Sequence, residues 1–114
     1  MSGPLLASGM NSPVPTSYGM GSALATTGAA TAVTMRAGRK SFQAFLTGSG
    51  AVTSTVLIQG SNDNSSWLTL ATISLSGTGS ASDGFVSDEA WLYHRANVSA
   101  ISGTSAAVTI IGGA

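Results

Sequence analysis

The sequence predicts an all-β fold, an antiparallel β-sandwich or barrel, with an extended arm at its N-terminus. From residue 31 onward, short segments alternate apolar and polar residues at the two-residue period of a strand. Clusters of Gly, Ser, Asn and Asp punctuate them, as turn chemistry requires. No segment spaces its apolar residues as an amphipathic helix would. The chain has 114 residues, which fits one domain and suffices for a sandwich of about 100 residues.

Residues 1–30 form the predicted arm. They hold all three prolines, Pro4, Pro13 and Pro15, and no charged residue. Proline fixes φ and biases the residue before it away from helix. Leu5, Leu6, Val14, Tyr18 and Leu24 are more apolar than a solvated tail requires, so the arm is expected to lie on a neighbouring protein surface.

The domain is expected over residues 31–114. "TAVTMR" (31–36) and "SFQAFLT" (41–47) read as the first strands. "AVTSTVLIQGS" (51–61) sets Val52, Val56 and Ile58 on one face, with Thr53, Thr55 and Gln59 on the other. "WLTLATISL" (67–75), "AWLYHRANVSAI" (90–101) and "AAVTIIG" (106–112) follow, rich in the branched residues that suit a pleated surface. Between them, "GSG", "GSNDNSS", "SGTGSASDG" and "SGTS" read as turns. In "GSNDNSSW", Asn62, Asp63 and Asn64 tolerate left-handed backbone, and Trp67 opens the next strand. The expected core is Val33, Phe42, Leu46, Val56, Ile58, Ile73, Trp91, Val98, Val108 and Ile110.

Composition narrows the function. Only 7% of residues are charged and the net charge is zero, against roughly 25% charged in an ordinary domain. A hydrophobic fraction of 43% still supplies a core. Nucleic acid is an unexpected partner, because phosphate binding needs clustered Lys and Arg. Cysteine is absent, so no disulfide or thiolate metal site can form. No stretch of about 18 apolar residues occurs, so no transmembrane helix and no membrane partner is expected. The start of the chain lacks the basic and apolar regions of a cleaved leader.

Site chemistry is sparse. The acids are Asp63, Asp83, Asp88 and Glu89, the bases Arg36, Arg39, Lys40 and Arg95, and the one histidine is His94. No G-x-S-x-G elbow accompanies the histidine, which reads as a surface or interface residue. One His without Cys cannot assemble a transition-metal site, and Asp83, Asp88 and Glu89 lack calcium-loop spacing. "GRK" (38–40) reads as a solvated turn, and the sequons at Asn64 and Asn97 as chance matches. No catalytic residue, metal or cofactor is expected, and the chain is not expected to be an enzyme.

The stretch "VLIQGSNDNSSWLTLATISLSGTG", then "DGF" and "AWLYHRANVSAISGTSAAVTIIGG", resembles small structural proteins of tailed bacteriophages. That resemblance spans about residues 52–113 and rests on the G-S-N-D turn with Trp67, the aromatic strand around Trp91 and Tyr93, and the closing "AVTIIGG". It implies a jelly-roll-like sandwich in a virion protein of the capsid decoration (cement) type. Such a protein, made in the host cytoplasm, would oligomerise, as a homotrimer by preference or as a dimer, and would clamp neighbouring major capsid subunits. A tail or fibre component is the nearest alternative. "GSNDNSSW" is also similar to a turn of discoidin-like carbohydrate-binding domains, in which Trp67, Trp91 or Tyr93 would stack on sugar.

Overall fold

Alternation of apolar and polar side chains holds the backbone extended, and the computed structural model, which describes residues 16–35 and 38–114, contains strands and no helix over those residues. The strands are β1 (Ser17–Leu24), β2 (Gly28–Ala29), β3 (Lys40–Ser61), β4 (Leu68–Ser87) and β5 (Tyr93–Gly113). All pairings are antiparallel, in the order β1-β5-β3-β4, with β2 also beside β5.

Three of these strands are far longer than the segments read from sequence, because "GSG", "SGTGSASDG" and "SGTS" do not end strands. They lie inside β3, β4 and β5, side by side across the sheet: Thr47 faces Ser80, Ala51 faces Thr78, and Ser49 faces Thr104. The register slips there, with β3 carrying more residues than β4 between the same two ladder pairs. β3 bulges against β4 and, a residue or two along, β3 and β5 bulge in turn against each other, after which both ladders resume. Gly50 (φ 69°), Gly79 (φ 79°) and Gly103 (φ 125°) supply backbone that L side chains rarely adopt.

The bulges fold the sheet onto itself. Phe42 pairs with Gly112, and His94 pairs with Gly60. In a flat sheet rising about 3.3 Å per residue, Phe42 and Gly60 would be about 60 Å apart. Instead the Phe42 and His94 rings have centroids 5.7 Å apart. Residues 88–92 confirm the closure, for they lead from Ser87, opposite Lys40, to Tyr93, opposite Ser61. So short a link spans at most about 20 Å, and the two ends of β3 therefore meet. One layer has the order β1, then the parts of β5, β3 and β4 at residues 104–113, 40–47 and 80–87. The other has β2, then 93–102, 51–61 and 68–78. This is the connectivity of a jelly roll, a long antiparallel ribbon wrapped into two sheets.

The core lies between the layers. Phe42, Ala44, Leu46, Val52, Val56 and Ile58 of β3 face inward with Ile73, Leu75, Ala96, Val98, Val108 and Ile110. Eight of the ten expected core residues are buried. Val33 and Trp91 are half-buried: Val33 makes one isolated bridge to His94 at the sandwich margin, and Trp91 belongs to the link between layers rather than to a strand. "TAVTMR" accordingly forms only that bridge, while Met35 turns inward beside Met20 and Gly112.

The boundary between arm and domain moves to residue 17. β1 pairs with β5 from Ser17↔Gly113 to Leu24↔Val108 and buries Met20 in the core. An apolar segment with its amides free gains both burial and hydrogen bonds by completing the sheet beside it. Tyr18 and Leu24 pack against the same core and so serve their own domain. Leu5, Leu6 and Val14 lie outside the described residues.

Ile58→Ala and Ile110→Ala are each expected to cost about 2–5 kcal/mol in urea unfolding, as large-to-small changes in a closed core do. Gly103→Ala is expected to cost about 1–3 kcal/mol, because its Cβ would sit 2.8 Å from the Ala51 carbonyl oxygen. Gly19→Ala, which meets nothing within 4 Å, should stay within about 0.5 kcal/mol of the parent.

Candidate functional site

The functional groups collect at the open mouth of the folded sheet, where both ends of β3 meet the 62–67 turn, the 88–92 link and residue 16. Thr16 and Ala114 exchange backbone hydrogen bonds there, at 2.6 and 3.0 Å. Lys40 and His94 share the inward parity of Phe42 and Ala96, and each is almost fully buried, at 1% and 0% exposure. Burial of both corrects the sequence reading at the last residue of a solvated "GRK" turn and of a surface or interface histidine. The parity was visible in the sequence, but a polar residue on an apolar stripe is easily assigned to the rim.

Lys40 Nζ donates to the carbonyl oxygens of Gly38 (2.8 Å) and Glu89 (2.7 Å). It thereby pins the link between layers to the start of β3. Burial lowers the Lys40 pKa, and Asp88 opposes that shift. His94 has no such partner: neither ring nitrogen finds a hydrogen bond among the described residues. Burial lowers the His94 pKa, and the neighbouring Lys40 charge lowers it further. The imidazole is thus held neutral beside Phe42. Arg39 and Asp88 form an exposed ion pair at 3.1 Å, of the kind that contributes little to stability.

The 62–67 turn is built by its own side chains. Ser61 Oγ accepts from the Asp63 and Asn64 amides and donates to Asp63 Oδ1. Asp63 Oδ1 also accepts from the Ser65 and Ser66 amides at 2.9 and 2.7 Å. These donors, that of Ser66 foremost, lower the Asp63 pKa to about 2. Asn64 takes the left-handed conformation at φ 58°. The turn is tied to the link by Asn62, whose Oδ1 accepts from the Leu92 amide at 3.1 Å.

This turn also places the two tryptophans on one cleft. Trp67 and Trp91 line about 390 Å³ together with Asn62, Asp63, Ser66 and Leu68. Arg95 lies over the Trp67 ring at 4.3 Å and donates to Gln59 Oε1 at 2.8 Å. Trp91 packs over Gly60, where a Cβ would come within 2.6 Å of the indole, and its Nε1–H donates to Glu89. Tyr93 does not line the cleft. The two indoles are far apart in sequence, and only the fold-over of the sheet joins them.

Both flanks of the sandwich end in strands bonded on one side. β4 pairs with β3 and with no other described strand. Along its 20 residues the only charged side chain is Asp83, and Leu68 and Val86 are each 56% exposed. The opposite flank is β1 and β2, beside an apolar groove of about 640 Å³ lined by Met20, Leu24, Val33 and Ile110 among others. No group of three or more His, Cys, Asp or Glu that could hold a metal occurs among the described residues.

No family model matches the chain, and no curated protein matches it in sequence. Among solved structures, the SPBc2 prophage-derived protein YomS is similar in fold, with a TM-score of 0.58 and 15% identity over 89% of this chain and 94% of that one. At that identity the likeness is one of fold.

His94 makes stability depend on pH. Its folded pKa lies below the ordinary 6.5, so in acid the unfolded chain binds the proton that the folded chain refuses. Stability is therefore complete above about pH 6.5 and falls as pH drops below it. Asp63, with a pKa of about 2 against 3.8, adds a further loss below about pH 4. Thermal melts of the parent and of His94→Phe between pH 8 and pH 4.5 are expected to show a falling Tm only in the parent.

Proposed function

We propose that this chain is a non-enzymatic structural component of a phage particle, which assembles with copies of itself and binds the outer capsid surface as a decoration protein. The observation that carries this reading is the β4 flank. An exposed strand edge is a template for pairing with another chain, and proteins that stay monomeric blunt it with charges, proline or short strands. β4 presents two such edges, residues 68–78 in one layer and 80–87 in the other, free of proline and with Asp83 as their one charge.

Two further features support the reading. The sandwich is similar in fold to a prophage-derived protein, and the arm residues Leu5, Leu6 and Val14 offer apolar anchors to a neighbouring subunit or to the major capsid protein. Burial of one such side chain contributes roughly 1.5–3 kcal/mol toward the cost of ordering the arm. A homotrimer suits the two unlike flanks. Setting β4 of one copy against the β1 flank of the next is a head-to-tail contact that can close a ring, whereas β4 against β4 would give a two-fold dimer.

Sedimentation equilibrium of the full chain is expected to give a trimer mass, and Thr72→Lys with Ser74→Lys on the β4 flank is expected to shift it to monomer. Deleting residues 1–15 should leave the sandwich folded and weaken co-sedimentation with empty capsids. A full chain that stays monomeric at high micromolar concentration, or a truncated chain with undiminished capsid affinity, would refute the corresponding part of the reading.

A further inference from the structure

We propose that the cleft between Trp67 and Trp91 is a binding subsite for an uncharged pyranose unit, a neutral hexose or N-acetylhexosamine. Two indoles and a polar rim of Asn62, Asp63 and Ser66 border one concavity of about 390 Å³. That lies at the low end of the roughly 300–1,000 Å³ typical of small-molecule sites. A pyranose presents an apolar C–H face that packs on the electron-rich face of an indole, and an equatorial fringe of hydroxyls that needs donors and acceptors. The cleft supplies both kinds of surface.

The polar groups are fixed before any ligand arrives. Asn62 uses its Oδ1 on the Leu92 amide, and its amide NH₂ has no protein partner among the described residues. Asp63 is anchored by the Ser61 hydroxyl and by the Ser65 and Ser66 amides. Trp91 is oriented by its bond to Glu89 and by its seat on Gly60. A rigid rim loses little entropy on binding.

Charge selects among ligands. Asp63 lines the cleft and Glu89 holds the Trp91 indole, so carboxylates border the site and an acidic sugar is disfavoured. A quaternary ammonium group is disfavoured for the opposite reason, because Arg95 already places a cation over the Trp67 ring. An uncharged sugar meets neither penalty. This subsite is independent of how the chain assembles, since none of its residues except Leu68 belongs to the β4 flank.

The full chain contains only two tryptophans, so its indole N–H signals in a ¹H–¹⁵N spectrum report on the cleft directly. Methyl β-D-glucopyranoside, methyl β-D-galactopyranoside and N-acetylglucosamine are titrated separately into the protein. At least one is expected to shift both indole signals saturably, in the weak affinity range of a single sugar unit. Trp67→Ala is expected to abolish saturation. Asn62→Asp keeps the acceptor for the Leu92 amide while removing the NH₂, and is expected to weaken binding at least five-fold with the rest of the spectrum unchanged. Absence of a saturable shift with all three sugars overturns the proposal. So does saturation by choline without saturation by sugars, or an unchanged affinity in folded Asn62→Asp.

Discussion

The fold depends on one constraint, that three adjacent strands bend at the same level. If β3 alone kinked between Thr47 and Ala51, its amides would lose their partners on β4 and β5, and buried unpaired backbone groups are costly. The molecule avoids this by placing a glycine-containing slip in each strand, around Gly48 and Gly50, around Gly77 and Gly79, and at Gly103. The ladder stays intact on both sides of the line. Space there is as restricted as conformation: a Cβ on Gly48 or Gly103 would collide with Val52 and with neighbouring backbone. The bend therefore lets a single ribbon enclose its own core, and every inward side chain depends on it.

Folding the ribbon gathers its loose ends at the mouth. The 62–67 turn, the 88–92 link, residues 38–40 and the Thr16–Ala114 pair all sit there because the two ends of β3 do. Lys40 is buried on the inward side of β3, and its ammonium spans two carbonyl oxygens and holds the link against β3. His94 makes the opposite arrangement, a polar ring that packs against Phe42 with no bond to either nitrogen among the described residues. Loops supported by a rigid scaffold are where proteins place recognition, and here Glu89 and Gly60 hold Trp91 while Arg95 lies over Trp67.

The flanks and the faces have different physical characters. Inward faces are closed by Val, Ile, Leu and Phe. Outward faces are mainly Ser, Thr and small residues with little charge, so association with another neutral protein surface carries a low desolvation cost. A small sandwich without disulfides exposes much of its surface for its volume, and shared burial with neighbours would stabilise it by mass action.

The sequence by itself determined the strand character, the aliphatic part of the inward set of β3 and β5 and the 62–67 turn, because each follows from local periodicity or from side chains bonding their own backbone. Val56, Ile58, Val108 and Ile110 could be placed by alternation alone, and the turn at Asn62, Asp63 and Asn64 by its residue types. Only the tertiary structure decided whether "GSG", "SGTGSASDG" and "SGTS" end strands or bend them. Glycine permits both, and the outcome depends on whether the neighbouring strand slips at the same level. The same holds for β1, whose glycines and uncharged small residues read as arm until β5 offers it a ladder. It holds also for the cleft, since Trp67 and Trp91 become neighbours only through closure of the sheet, a contact that no local pattern encodes.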